Sequence, residues 1–273
     1  MQEHNCSSVL NLYILIKVNC MFFKGNRFLN GKNALVTGSA KKLGAHTALG
    51  LAEYGANIIL NYRESASEAE QLMTEILRFG VKCIAVKGDV SVSGELEDVI
   101  NKSMDRMGSV DILINNAGPW ASEPFHELSL EKWDLVMNVN LRAAFEVSKL
   151  LFPAMKKSGW GRIINVSSNA AFMRNQSIYG LAKNALNRLT ESLALEFAPD
   201  VNVNAVAPGL IWYDGLKEQT QRLITEDTPL KRLVTMNEVA EFIAVLCSPV
   251  FDSVTGQVIV LDGGQSIPKA VGL

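Results

Sequence analysis

From Lys32 onward the chain alternates short β-branched apolar runs with longer stretches whose apolar residues recur every three or four positions. Seven of the short runs read as strands: Asn33–Thr37, Asn57–Asn61, Val81–Val86, Val110–Asn115, Arg162–Ser167, Asn202–Ala207 and Gln257–Leu261. Most are continuous rather than alternating, as in Ile58-Ile59-Leu60, which is how strands covered on both faces look. Helix-like segments fill the intervals at Ala45–Tyr54, Ser67–Phe79, Gly94–Met107, Leu130–Met155, Tyr179–Phe197 and Asn237–Leu246. The first two stop before Gly55 and Gly80, where a residue with positive φ closes a helix without steric penalty. This alternation predicts one α/β domain, a doubly wound, seven-stranded parallel sheet flanked by helices. No linker, repeat or low-complexity stretch divides it, so the domain is expected at residues 31–273, behind an extension at residues 1–30.

In that extension, Val9 to Val18 (VLNLYILIKV) invites a targeting reading. It falls short of the ~20 apolar residues that span a bilayer. It also lacks the basic start and small-residue cleavage site of a signal peptide. Met21 is an alternative start, and residues 1–20 are given no function.

Composition narrows the class. The 273 residues are 48% hydrophobic and 20% charged with a net charge of -2, enough for a large core and too balanced for charge-driven nucleic-acid binding. Cys6, Cys20, Cys83 and Cys247 are scattered and only three histidines are present. The expectation is therefore no disulfide framework, no metal centre and a reducing cytoplasm.

The first strand opens into a helix through Thr37 to Gly44, TGSAKKLG. Glycines at Gly38 and Gly44 allow close approach of a ligand, and the helix N-terminus offers free N–H groups to a pyrophosphate. A ribose with a free 2′-hydroxyl is usually held by an acid at the end of the second strand. Here Asn61 stands there, with Arg63, Lys41 and Lys42 nearby. These cations suit a 2′-phosphate and favour NADP(H) over NAD(H), with Glu64 as the opposing charge.

Tyr179 and Lys183 lie four apart at a helix start and share one face. A phenol beside an ammonium can exchange a proton with a carbinol oxygen. Chance alone supplies about 0.3 such spacings in a chain of this composition, and two others occur. Tyr13/Lys17 precedes the first strand, and Tyr213/Lys217 encloses the turn pair Asp214-Gly215. Only Tyr179/Lys183 follows a strand that delivers serines, Ser167 and Ser168, to the carboxyl edge where α/β sheets bind ligands.

TGSAKKLG, GDV at 88–90, NNAG at 115–118, NVNL at 138–141, NVSS at 165–168, YGLAK at 179–183, NAVAPG at 204–209 and VTGQVIVLDGG at 254–264 come in one order. In that order they resemble a short-chain dehydrogenase/reductase, from about Lys32 to Gly264. The resemblance implies a Rossmann-type fold and an NADP(H)-dependent oxidoreductase most like 3-oxoacyl-(acyl carrier protein) reductases or sugar dehydrogenases. It implies a catalytic set of Asn140, Ser168, Tyr179 and Lys183. Cofactor contacts would come from Gly38, Ser39, Lys41, Lys42, Leu43, Gly44, Arg63, Asp89, Val90, Asn116, Ala117, Gly118, Tyr179, Lys183, Pro208 and Gly209. Partners would be a small carbonyl or alcohol and further copies of the chain, paired through Leu130–Met155 and Tyr179–Phe197, with no nucleic acid and no membrane.

The chain departs from the family pattern at three places. The middle glycine of TGxxxGxG is Lys42, which resembles the TGxxxRLG of pteridine reductases and raises pteridine reduction as an alternative. The interval from Ser168 to Tyr179 is short, and Leu210-Ile211-Trp212-Tyr213 stands where a threonine commonly follows Pro208-Gly209. Tyr213 is a candidate replacement. The third reading is a non-catalytic NADP(H) sensor. Specificity is expected from residues 119–129, 169–178 and 210–230, whose aromatics are Trp120, Phe125, Phe172, Trp212 and Tyr213, with Met173 and the charge of Arg174.

Overall fold

The computed structural model describes residues 25–173 and 177–268. Residues 1–24, with the Val9–Val18 segment, Tyr13/Lys17, Cys6 and Cys20, and also Arg174, lie outside the described residues. In chain order the elements are β1 (Asn33–Val36), α1 (Lys42–Glu53), β2 (Asn57–Tyr62), α2 (Ala66–Leu77), β3 (Cys83–Lys87), α3 (Ser93–Met107) and β4 (Ile112–Asn115). They continue with α4 (Leu130–Met137), α5 (Ala143–Ser158), β5 (Gly161–Val166), α6 (Ile178–Phe197), β6 (Val201–Pro208), α7 (Glu218–Asp227), α8 (Met236–Leu246) and β7 (Val258–Leu261).

All seven strands run parallel in the order β3-β2-β1-β4-β5-β6-β7. The order reverses between β1 and β4, the crevice where such sheets take ligands. Side chains alternate across the sheet, and both faces are dry. Ala34, Val36, Ile58, Leu60, Ile114 and Ile164 pack under α1, α2 and α8. Leu35, Ile59, Leu113, Ile163 and Val203 pack under α3, α5 and α6. The continuous apolar strands of the sequence are thus the two-sided core.

One connection breaks a topological rule. Helices α1 and α2 link strands running one way across the sheet; α3, α5 and α6 lie on the opposite face and link strands running the other way. Helix α8 links β6 to β7 in that second direction but packs beside α1. It therefore has the opposite hand to the right-handed crossover that dominates parallel sheets.

Two expectations need correction. Leu130–Met155 is not one helix: a wide turn at Asn138–Arg142, with the Ala143 N–H reaching the Asn138 carbonyl, separates α4 from α5. The Asn140 amide donates to the Val136 carbonyl at 3.0 Å and the Pro119 carbonyl at 3.1 Å. Side-chain competition of this kind for helix carbonyls loosens the ladder, and such bulges gather at functional sites. Residues 218–227, read as part of a loop, form α7. None of its residues is buried, so no core-facing stripe marked it in the sequence.

Candidate active site

The glycine-rich turn is tied down from both neighbouring strands. The Thr37 hydroxyl donates to the Ile114 carbonyl and accepts the N–H groups of Asn116 and Ala117 at 2.9 and 3.0 Å. Asn61 accepts the Gly38 N–H on its side-chain oxygen and donates to the Gly88 carbonyl. A Cβ on Gly38, whose φ is +61°, would come within 3.1 Å of Ala117, and one on Gly44 would meet the Gly38 carbonyl oxygen at 2.5 Å. These glycines are steric requirements. Helix α1 then begins with no side-chain cap and no acid in its first turn, so its N–H groups and positive dipole end are open to an anion.

In front of this turn lies a cleft of about 540 Å³. Gly38, Lys41, Lys42, Leu43, Gly44, Arg63, Asp89, Val90, Asn116, Ala117 and Gly118, all expected as cofactor contacts, line it. Ser39 does not. It is fully buried, and its hydroxyl donates to the Asn61 carbonyl at 3.2 Å, so it braces the turn. Pro208 and Gly209 lie apart from this cleft at the end of β6, with the Gly209 N–H on the Leu261 carbonyl. Leu135 also lines the cleft and sits in no motif that the sequence reading used; Tyr62 and Glu64 line it beside Arg63, outside the expected cofactor contacts.

The cations at the far end of the cleft already have partners. Arg63 contacts Glu64 at 3.1 Å and Asp89 at 3.5 Å, and Lys41 contacts Glu68 at 2.7 Å. Partial burial opposes ionisation of Asp89, but hydrogen bonds from Ser91 and the Arg63 charge hold its carboxyl below the usual range. Asn61, occupied with the turn, presents no carboxylate.

The four residues expected to do chemistry converge beyond β4 and β5. Lys183 is buried and donates to the Val166 carbonyl at 2.7 Å, with its ammonium 5.6 Å from the centre of the Tyr179 ring. Burial pushes the Lys183 amine down to about 7. Burial also raises the Tyr179 phenol above its ordinary range, opposed by a hydrogen bond with Ser168. Burial acts on both groups in the same sense, disfavouring the phenolate of Tyr179 and the ammonium of Lys183 alike. The two serines separate. Ser167 is buried and donates to Asn187 at 2.6 Å, whereas Ser168 reaches the phenol.

Asn140 completes the cluster. Its side-chain oxygen is buried without a hydrogen-bond partner among the described residues. A Cβ on Gly118 would stand 2.2 Å from that oxygen and 3.4 Å from the Lys183 ammonium. An orphaned acceptor beside a buried amine and a space closed to any side chain is a site built for a polar group from outside. Together with the open helix end, the residues present fit a nicotinamide dinucleotide.

Trp120, Phe125, Phe172, Met173, Trp212 and Tyr213 are exposed on the segments that follow β4, β5 and β6. A separate, mostly apolar cavity of about 870 Å³ lies against β7, between Phe172, Leu230, Phe242 and Val260, and does not reach Tyr179.

Residues 38–266 match the family model described as enoyl-(acyl carrier protein) reductase. The chain belongs to the short-chain dehydrogenase/reductase family. It is an oxidoreductase of carbonyl and alcohol groups with a nicotinamide cofactor. A 3-oxoacyl-(acyl-carrier-protein) reductase of Synechocystis sp. is 36% identical over 241 residues, 87% of this chain and 98% of that one. Oxidoreductase UcpA of Salmonella typhimurium is 34% identical over 260 residues, 90% and 98% of the two chains. Among solved structures, a 7 alpha-hydroxysteroid dehydrogenase complexed with NADH and 7-oxo glycochenodeoxycholic acid superposes with a TM-score of 0.83 at 30% identity, covering 88% of this chain and 96% of that one.

Proposed function

We propose that this short-chain dehydrogenase/reductase is an NADP(H)-dependent carbonyl reductase whose proton donor is Tyr179. The observation that carries the reading is the convergence of a buried amine, a partly buried phenol and an orphaned amide oxygen at the open end of the cofactor cleft. When bound, the nicotinamide supplies the hydride. Ser168 orients the substrate oxygen toward the phenol, which like any phenol is protonated near neutral pH and gives its proton to that oxygen. The proton moves from the phenol oxygen to the substrate oxygen, and Lys183, held on the Val166 carbonyl at 2.7 Å, stabilises the phenolate left behind when it is protonated. Asn140, held by the wide turn, accepts from a water or ligand group through its free oxygen.

Absence of a carboxylate at Asn61, with Lys41, Lys42 and Arg63 on the cleft wall, supports NADP(H) over NAD(H). Arg63→Ala is expected to weaken NADPH at least tenfold and to leave NADH within about twofold, measured by direct titration. Equal weakening of both would sink the preference. Tyr179→Phe should lose carbonyl reduction at least a hundredfold while NADPH still binds. Unchanged turnover would overturn the assignment of the proton donor.

The 3-oxoacyl-(acyl-carrier-protein) reductase relatives support a 3-oxoacyl-type substrate, and a sugar alcohol is the other class that the resemblance in sequence suggests. Lys42, with φ +51° at a glycine position, favours pteridine reduction as a second reading, tested by dihydropterin turnover. The exposed apolar side chains on α5 and α6 favour a homo-oligomer, and the scattered cysteines a reducing cytoplasm.

A further inference from the structure

Lys42 and Tyr213 stand at two departures from the family pattern, and the structure brings them together. Lys42 is the first residue of α1 and adopts φ +51°, a left-handed conformation that disfavours any residue with a Cβ. Strain kept at a ligand site points to a use for the side chain it projects. That side chain crosses to the loop after β6, where its ammonium lies 5.8 Å from the centre of the Tyr213 ring, within cation–π range. The neighbouring Lys41 is committed to Glu68 at 2.7 Å, so of the two lysines it is Lys42 that spans the gap.

What lies under this contact follows from the sheet order. Between β1 and β6 come β4 and β5, three strand spacings or about 14 Å at about 4.8 Å each. The ends of β4 and β5 carry Asn116–Gly118 and Ser168, so the contact passes over the middle of the cofactor crevice. The loop is anchored on its other side, where Ile211 bridges to Val234 and the Trp212 N–H donates to the Val234 carbonyl at 2.8 Å. Lys42 also lines the 540 Å³ cleft, so one half of the contact borders the ligand's path and the other reaches it from the loop after β6.

We infer that Lys42 and Tyr213 form a clasp that holds the loop after β6 across the dinucleotide and sets how fast the cofactor leaves. Both are positioning residues. The ring face of Tyr213 does the holding, so its hydroxyl is dispensable. The inference rests on the chain binding a nicotinamide dinucleotide in this crevice, but the clasp itself precedes the ligand.

The test uses the full chain, with and without NADPH, and the variants Lys42→Met, Tyr213→Ala, Tyr213→Phe and the Lys42→Met/Tyr213→Ala double variant. Hydrogen exchange of residues 211–217 in the cofactor-free protein reads the clasp independently of any reaction. An exposed cation–π contact predicts exchange two- to fivefold faster in Lys42→Met and Tyr213→Ala, no further gain in the double variant, and parent behaviour in Tyr213→Phe. NADPH release, followed by displacement in a stopped-flow instrument, should accelerate in the same pattern. Loop exchange unchanged in Lys42→Met and Tyr213→Ala overturns the clasp, and so does Tyr213→Phe behaving like Tyr213→Ala. Slower loop opening in the parent with no NADPH binding would retain the clasp while refuting the cofactor reading. Because Tyr213 lies in an exposed loop, its variants keep the test available should Lys42→Met fold poorly.

Discussion

Lys183 is an amine enclosed by protein, where burial works against its charged form. Its amine is pushed down to about 7 by burial, while in the unfolded chain it titrates near 10.4. Between those values the unfolded state binds more protons than the folded one, so this group's contribution to stability improves as pH rises from about 7 toward 10. Lys183→Met should therefore melt higher than the parent at pH 6–7 without cofactor, and the gap should close by pH 10. A gap independent of pH would show that the amine is solvated after all. Ser167 and Ser168 show the limit of reading single residues: adjacent in sequence, they differ only in which way the strand end turns them, toward Asn187 or toward the phenol.

Among the elements, α8 is the least expected in space. Its start carries a capping box: the Thr235 hydroxyl accepts the Glu238 N–H, and Glu238 accepts the Thr235 N–H at 2.9 Å. Two hydrogen bonds from Arg232 clamp the same carboxylate, and chiefly for that reason its pKa sits at about 2. Stability gained from that group is complete above about pH 4.5 and is lost as pH falls toward 2. Thr235→Ala should cost about 1 kcal/mol, a drop of about 2–4 °C in Tm by calorimetry. No change would mean that tertiary packing on α1 alone holds the helix start. The α4–α5 break is the opposite case. Nothing in the periodicity of residues 130–155 marks it, because the apolar pattern continues through it. The wide turn is accompanied by the Asn140 amide on the carbonyls of Val136 and of Pro119, the latter from a loop distant in sequence.

For the whole molecule, the outer faces of α5 and α6 remain apolar after folding. Phe145, Leu150 and Leu181 are exposed, and Leu195 is 85% accessible, on a chain whose net charge is only -2. This is the surface on which the proposed homo-oligomer would pair. The double variant Phe145→Glu/Leu195→Glu is expected to sediment as a smaller species than the parent at the same concentration, with its cofactor cleft intact. Sedimentation unchanged from the parent would move the association surface elsewhere, for instance to the apolar cavity along β7.

The sequence by itself determined the sheet, because strands buried on both faces must be continuously apolar, and it determined the ligand edge, because glycines, serines and the Tyr179/Lys183 pair all fall at strand ends. It also named about half of the residues that line the cleft in front of the glycine-rich turn. Tertiary structure decided the rest. The face taken by α8 depends on which side of the sheet has room beside α1, a global property with no local signal. The neutral tendency of Lys183, the orphaned Asn140 oxygen and the meeting of Lys42 with Tyr213 arise from groups remote in sequence sharing one desolvated space. Periodicity reports the environment of a residue along its own element, and electrostatics is set by whatever other elements close over it.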